Sequence, residues 1–266
     1  MGGYYFMSKA IVLVAFGSAN LEGIKKSIGL LEKDLDKCFG EEYTIIKAFT
    51  SNRIIDLLKE RHDYVIPHLS KALFNLVNHG YEEVIIQPLH IMSGREKKQI
   101  EEIVNEYKYS MEKLVISKTL FTDDDNKLNQ EGYEIADIIC ENSNNNDILL
   151  VGHGSKKSSN KLYNVIENAV KKISNKRVYM ATLEGEQTID NVIENIVHDE
   201  VNSLLIKPLF IIPGKHVISD ISSGDGSWME MLREKNINIT INENSLLQYE
   251  KIRKLYIKNI IEAIKK

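Results

Sequence analysis

Short apolar runs alternate with longer amphipathic runs along the whole chain. The apolar runs predict eight β-strands, namely AIVLVAFG, YTIIKAF, EVIIQPL and KLVISKTL in the first half and DILLVGHG, RVYMATL, SLLIKPLF and INITIN in the second. Apolar and polar positions hardly alternate within these runs, which is typical of strands buried on both faces of a sheet.

The amphipathic stretches predict helices near residues 22–38, 53–79, 96–113, 127–142, 158–174, 187–198, 217–235 and 248–265. Strands alternating with helices favour right-handed βαβ units, so the predicted fold class is α/β, with parallel sheets flanked by helices. Pro67 ends a break that begins at Asp63, and we expect this break to divide the second helical stretch into two helices.

The two halves of the chain resemble each other. An FGS motif at 16–18 and an HGS motif at 153–155 each end the first strand of a half, and QPL at 87–89 and Gly94 match KPL at 207–209 and Gly214 at one common spacing. We therefore expect two similar α/β halves with a ligand cleft between them. The asparagine-rich segment 142–146 suggests a boundary that gives residues 1–143 and 144–266.

Composition excludes several classes of function. Hydrophobic residues make up 43% and charged residues 27%, an ordinary balance, and a net charge of −4 gives no support for nucleic-acid binding. No apolar run is long enough to span a membrane, and the N-terminal residues lack the features of a signal peptide, so we expect a cytoplasmic protein. Cys38 and Cys140 have no second ligand nearby in sequence, and we interpret them as reduced thiols without a role in chemistry.

Candidate chemistry lies where strands end, because open α/β sheets bind ligands beyond the carboxyl ends of their strands. His153 follows the run ILLVG and is flanked by glycines, which leaves its imidazole accessible. A core or capping histidine is the alternative, and we favour the ligand. Glu184 follows the strand VYMATL; its spacing suits a helix cap, although Glu186 is the more natural cap and would leave Glu184 for the site.

The third candidate, His216, opens a helix after Pro213 and Gly214, and its counterpart in the first half is Glu96. Taken alone, His216 is better explained as a solvated surface residue. Together with His153 and Glu184 it completes a set of two imidazoles and one carboxylate, which suits a borderline divalent metal such as Co, Fe, Ni or Zn.

Five further residues are candidates for contact with a ligand. His90 follows a strand, but Phe210 replaces it in the second half, so packing explains it equally well. Trp228, after the segment Gly224–Ser227, either fills the core or presents an aromatic ring to a flat ligand. Phe16, Ser18 and Met92 lie at other strand ends of the first half. Phosphate-binding glycine motifs are missing from the sequence, which gives nucleotide binding no support.

The ordered set VAFGS, AFTSNRII, QPLHIMSGRE, VGHGS, TLEG and PLFIIPGKHVISDISSGDGSW resembles the anaerobic-pathway sirohydrochlorin cobaltochelatases. These are class II chelatases, similar in fold to protoporphyrin ferrochelatase, and the resemblance extends from Lys9 to the last helix. It implies two similar α/β halves with a cleft between them. It also implies metal binding by His153, Glu184 and His216 and a further cleft carboxylate at Glu96.

By this resemblance the chain is a lyase that inserts Co²⁺ into sirohydrochlorin during cobalamin biosynthesis, without an organic cofactor. The expected partners are the tetrapyrrole and the divalent metal, without nucleic acid or membrane, and a homo-oligomer is compatible with the sequence. Insertion of iron or nickel, into sirohydrochlorin or a porphyrin, is an alternative because affinity order does not separate these metals. A non-catalytic carrier of tetrapyrrole or metal is the alternative of another class.

Overall fold

Parallel strand pairing builds two four-stranded sheets in the computed structural model of the chain. The structure describes residues 8–122, 124–141, 143, 146–154, 160–212, 215–222 and 224–266, and the side chains of 125, 160 and 215–218 lie outside the description. The first sheet has the order β2-β1-β3-β4, with β1 (Ser8–Ala15), β2 (Tyr43–Phe49), β3 (Tyr81–Pro88) and β4 (Lys113–Ile116). The second has the order β6-β5-β7-β8, with β5 (Asp147–Gly154), β6 (Val178–Glu184), β7 (Ser203–Pro208) and β8 (Asn238–Ile241).

The identical strand order of the two sheets confirms the predicted duplication, and all eight predicted strands are present. The connections are helical, as expected for parallel strands. The helices are α1 (Leu21–Lys26), α2 (Ile28–Phe39), α3 (Asn52–His62), α4 (Leu69–Asn78), α5 (Arg95–Glu106), α6 (Asp125–Cys140), α7 (Asn160–Ser174), α8 (Ile189–His198), α9 (Lys215–Ser222), α10 (Trp228–Glu234) and α11 (Glu250–Ile264).

Three of the predicted helical stretches are each two helices in the described chain. The stretch predicted near 22–38 as one helix is α1 and α2, which meet at Ser27. The break before Pro67 separates α3 from α4, as predicted, and Asp63 ends α3 in a left-handed conformation. The stretch predicted near 217–235 is two helices rather than one, because a turn containing Gly224 and Gly226, both with positive φ, separates α9 from α10. Glycine adopts such conformations without the steric penalty of a Cβ atom.

Packing divides the chain into two units whose limits differ from the expected boundary at residues 143 and 144. The first unit comprises Met1–Phe121 with Arg253–Lys266, and the second comprises Thr122–Ile252. Helix α6 belongs to the second unit because it packs along α7. The end of α11 belongs to the first unit, where Asn259 donates a hydrogen bond to the carbonyl of Thr119 at 3.2 Å. Sequence composition identifies the polar segment 142–146. It does not show that α6 packs along α7 or that the end of α11 packs in the first unit.

Each sheet is buried on both faces. The inner residues of β1 and β5 are almost fully inaccessible to solvent, as are those of β3 and β7. This burial explains why the strand runs lack an alternating pattern. The carboxyl ends of β1 and β3 in one unit, and of β5, β6 and β7 in the other, carry the candidate residues.

Candidate metal centre

His153 is the first candidate ligand, and it is the penultimate residue of the central strand β5. Its side chain is exposed, whereas Val151 and Gly152 before it are buried. The backbone on one side is held by the N–H of Leu209, which donates to the carbonyl of Val151 at 2.7 Å. The strand therefore delivers an accessible imidazole from a buried and hydrogen-bonded backbone.

Gly154 brings the ends of β5 and β6 unusually close together. It has a φ of +79°, and it is the register partner of Glu184. A Cβ atom at this position would lie 1.8 Å from the carbonyl oxygen of Glu184 and 2.8 Å from the Cβ of Thr182. Only glycine fits here, and the consequence is that His153 and Glu184 end two adjacent, tightly paired strands.

Glu184 is exposed and does not cap the following helix. Helix α8 begins at Ile189 with Thr188 as its N-cap residue, so the expectation that Glu186 caps this helix is wrong. The intervening loop is closed by the N–H of Thr182, which donates to the carbonyl of Gln187 at 2.8 Å. Because Thr188 and not Glu184 occupies the N-cap position of α8, capping does not explain the exposed Glu184 carboxylate.

Tyr163 lies under the turn that carries His153. It belongs to the first turn of α7, is buried, and accepts a hydrogen bond from the N–H of Gly154 at 3.2 Å. Its ring covers Gly152, where a Cβ atom would lie 2.4 Å from the tyrosine Cε1. Burial raises the pKa of Tyr163, and backbone hydrogen bonds from Gly154 and His153 oppose that rise.

His216 is the second residue of α9, as Glu96 is the second residue of α5, so the two positions are equivalent helix starts as predicted. The side chain of His216 lies outside the described residues, as do Pro213, Gly214 and Ser155. Among the side chains that the structure does describe, no group of three His, Cys, Asp or Glu residues converges as a metal site. The three-ligand set stays a prediction.

In the first unit, the residues at the carboxyl edge are aromatic, hydroxylic and acid–base groups. Phe16 follows β1 and is 50% exposed, which is unusual for a phenylalanine beside a buried strand. Ser18 is buried, and its hydroxyl accepts the N–H of Asn20 at 3.2 Å, so it shapes the turn before α1. Met92 is half-buried in the loop that leads to α5, and Glu96 is exposed in the first turn of that helix.

His90 occupies the end of β3 with an unusual environment. Neither of its buried ring nitrogens has a hydrogen-bond partner among the described residues. Burial lowers the pKa of His90, and the negative charge of Glu96 opposes that shift, so the two groups lie within electrostatic reach. The His90 backbone is fixed: its carbonyl accepts hydrogen bonds from the Tyr256 hydroxyl and the Leu120 N–H, at 3.2 and 3.1 Å.

Trp228 begins α10 and is only 7% exposed, packed in the core beneath the second sheet. Of the two roles that the sequence left open, the structure supports packing. Cys38 and Cys140 are free thiols, on α2 and at the end of α6. Within the described part of the chain, no helix combines the length and apolarity that a membrane span requires.

Sequence reasoning missed Tyr163 and Lys207. Tyr163 occupies an apolar position of an amphipathic helix, where periodicity indicates packing and not a hydrogen bond to a strand end. Lys207 is 3% exposed on β7, and its ammonium group donates to the carbonyls of Ile139 and Glu141 at the end of α6. The signal available for Lys207 was its place within an apolar strand run, where a charged residue needs partners.

The fold defines a class. Two repeated α/β units, each with a parallel sheet flanked by helices, match the fold that the resemblance to class II chelatases implied. The chain belongs to the cobalt chelatase (CbiK) family, whose model matches residues 9–265.

Named relatives match nearly the whole chain. The sirohydrochlorin cobaltochelatase of Salmonella typhimurium is 24% identical over 259 residues and 97% of each chain is covered. Sirohydrochlorin cobaltochelatase CbiKC of Nitratidesulfovibrio vulgaris is 21% identical over 262 residues, covering 96% of this chain and 90% of the relative. The solved structure of SirB from Bacillus subtilis with Fe³⁺ is similar with a TM-score of 0.68 and 17% identity, covering 97% of this chain and 96% of that chain. At this identity the last likeness concerns the fold.

Proposed function

We propose that this protein inserts Co²⁺ into sirohydrochlorin as a step of anaerobic cobalamin biosynthesis. The observation that carries the proposal is the close pairing of Gly154 with Glu184, which places the exposed side chains of His153 and Glu184 at the ends of adjacent strands. Membership of the cobalt chelatase family and the reaction named for the Salmonella typhimurium and Nitratidesulfovibrio vulgaris relatives support the metal and the macrocycle.

We assign the metal to His153, Glu184 and His216. Two imidazoles and one carboxylate leave coordination positions for water or for a substrate nitrogen. A metal that must be handed over is better held by three protein ligands than by a closed set of four. The residues on each side of His153 in sequence are glycines without side chains, which suits a ligand that first holds and then releases the ion.

Proton balance sets the second requirement. When Co²⁺ enters the macrocycle, two pyrrole N–H bonds break and their protons leave, while bonds form from ring nitrogens to the metal. Imidazole accepts protons near neutral pH, so His153 and His216 can take them once the metal has been released. Glu96 is our candidate for a further proton acceptor or for a group that orients the ring.

The first unit supplies the surface for the macrocycle in this proposal. The exposed ring of Phe16 suits a flat conjugated ligand, since aromatic faces stack in offset arrangements. His90 has ring nitrogens without a partner in the described chain, and a carboxylate of sirohydrochlorin would satisfy one of them after rotation of the ring. Met92 is an adaptable apolar contact in the same loop. Trp228 drops out of the substrate set because it is buried in the core.

The assignment of ligands is tested by calorimetric titration of the free protein with Co²⁺. His153→Ala and Glu184→Ala should each weaken Co²⁺ binding by at least about tenfold, because each removes a direct ligand. Glu96→Ala, as the matched carboxylate control, should bind Co²⁺ like the parent and insert it more slowly. Loss of Co²⁺ affinity in Glu96→Ala equal to that in His153→Ala would place Glu96 among the ligands and overturn the division of roles.

Metal choice is tested by absorbance with sirohydrochlorin and, separately, Co²⁺, Fe²⁺ and Ni²⁺. The proposal expects the largest acceleration over the uncatalysed reaction with Co²⁺. A larger acceleration with Fe²⁺ or Ni²⁺ would assign another metal, and acceleration with none would identify a carrier. The proposal includes a cytoplasmic location and the lack of an organic cofactor, the latter tested by the activity of protein purified without additions.

A further inference from the structure

Tyr163 contacts the backbone on both sides of His153. Its hydroxyl accepts the N–H of Gly154 at 3.2 Å, and its ring lies on Gly152 so closely that a Cβ there would stand 2.4 Å from Cε1 and 2.5 Å from Cζ. Tyr163 is only 5% exposed, so water does not readily replace its hydroxyl as the partner of the Gly154 N–H. Removing it would leave the Gly154 N–H to find another acceptor.

Strand geometry explains how these contacts set the direction of the His153 side chain. Successive residues of a strand point to opposite faces, so a ring that lies on Gly152 covers one face of the strand and leaves the other face to His153. Residue 154 has a φ of +79°, where the chain leaves regular strand geometry. At this point the direction of the imidazole depends on where the 152–154 backbone is held.

The equivalent strand end of the first unit is packed differently. Gly17 also has a positive φ, of +118°, but the atoms that crowd it belong to the apolar side chains of Phe49 and Ile54, at 2.8 and 2.9 Å from an added Cβ. The residue before Gly17 is Phe16, which is not a metal ligand in any role assigned above. A hydroxyl is thus found beneath the strand end that carries the imidazole, and hydrocarbon beneath the strand end that carries phenylalanine.

We propose that Tyr163 is a positioning residue, whose hydroxyl and ring fix the 152–154 backbone and so aim the His153 imidazole at the metal. The inference rests on the proposed role of His153 as a metal ligand. Groups that orient ligands act on metal affinity and on coordination geometry, and they act through hydrogen bonds of this kind. Tyr163 itself touches neither metal nor substrate in this account.

The test compares Tyr163→Phe with Tyr179→Phe. Both tyrosines are buried, and both substitutions remove a hydroxyl that makes a hydrogen bond: the Tyr163 hydroxyl accepts from the N–H of Gly154, and the Tyr179 hydroxyl donates to Asp199 at 2.6 Å. Tyr179 lies near the amino end of β6, away from the residues proposed to bind the metal. It therefore serves as a matched control for the cost in stability of losing a buried hydroxyl in this unit.

Three quantities are measured for each variant: the thermal midpoint, the Kd for Co²⁺ alone, and the visible absorption spectrum of the Co²⁺-loaded protein. Tyr163→Phe should weaken Co²⁺ binding by about tenfold and change the spectrum, as loss of a group that orients a ligand does. Tyr179→Phe should lower the thermal midpoint comparably and leave the Co²⁺ affinity and spectrum unchanged. A Tyr163→Phe variant with parental affinity and spectrum would overturn the inference.

His153→Ala separates failure of the inference from failure of the proposed function. If His153→Ala keeps the parental Co²⁺ affinity, the ligand assignment fails, and the role of Tyr163 fails with it. If His153→Ala loses Co²⁺ while Tyr163→Phe retains it, the ligand assignment stands and only the positioning role is wrong. Equal loss of Co²⁺ affinity in Tyr163→Phe and Tyr179→Phe would mean that any loss of packing in this unit weakens the site, which also overturns the inference.

Discussion

Replacement of Gly154 by alanine should damage both the stability of the second unit and the metal site. The new Cβ would lie 1.8 Å from the carbonyl oxygen of Glu184. Carbon–oxygen contacts settle near about 3.3 Å, so the ends of β5 and β6 would have to move apart by about 1.5 Å. That displacement separates the backbone of His153 from that of Glu184, the two proposed ligands at neighbouring strand ends.

The stability cost has two parts. An alanine with φ near +79° pays the left-handed penalty of about 1–2 kcal/mol, because Cβ approaches the following carbonyl. Insertion of a methyl group where the surroundings must shift adds about 1–3 kcal/mol. The expected total is therefore about 2–5 kcal/mol. This is a large share of the 5–15 kcal/mol, roughly, that stabilises a typical protein.

Urea unfolding, monitored by tryptophan fluorescence, measures this loss of stability in the second unit, which contains Gly154. Trp228 is the one tryptophan of the chain and is buried in the core of the second unit. Gly226→Ala is the matched control, because Gly226 has a φ of +78° and an added Cβ there meets no atom of the described chain within 4 Å. The control should show the conformational penalty alone. If Gly154→Ala costs no more than Gly226→Ala, the close approach to Glu184 is not what requires glycine.

Two further predictions concern buried ionisable groups. The folded protein lowers the pKa of His90 below its usual 6.5, mainly by burial, so the unfolded chain binds more protons in acid and stability falls as pH drops below that value. His90→Phe, which copies Phe210 of the second unit, should therefore lose less stability than the parent between about pH 7 and about pH 5 in urea titrations; an equal loss would contradict the shift. Burial also lowers the pKa of Lys207 below 10.5, so its contribution to stability grows as pH rises towards 10.5. Lys207→Met should cost about 1–3 kcal/mol at neutral pH by urea unfolding, because it leaves the carbonyls of Ile139 and Glu141 without their donor, and an unchanged midpoint would contradict that role.

Strand positions and the duplication were predictable because they depend on local patterns. Runs such as ILLV before His153 are apolar on both faces, and repeated motifs at a common spacing mark equivalent strand ends. The break from Asp63 to Pro67 was predictable for the same reason, since a proline within a helical stretch interrupts the helix. These features confirm that fold class follows from short-range information in this chain.

Features that depend on distant contacts were not predictable. We placed the boundary between the two halves from composition. The two units are instead defined by the packing of α6 on α7 and by the end of α11, which belongs to the first unit. Tyr163 becomes relevant only because α7 packs beneath the end of β5. Trp228 was open between two roles because burial of an aromatic ring is set by tertiary packing, and a local pattern does not report it.

Absorbance of sirohydrochlorin mixed with Co²⁺ and purified protein decides whether this chain inserts Co²⁺ into sirohydrochlorin at a site that includes His153. We expect the parent to accelerate insertion over the protein-free reaction. We expect His153→Ala to reduce the rate to that background while still binding sirohydrochlorin. A parent no faster than the protein-free reaction, or a His153→Ala variant as fast as the parent, would contradict this proposal.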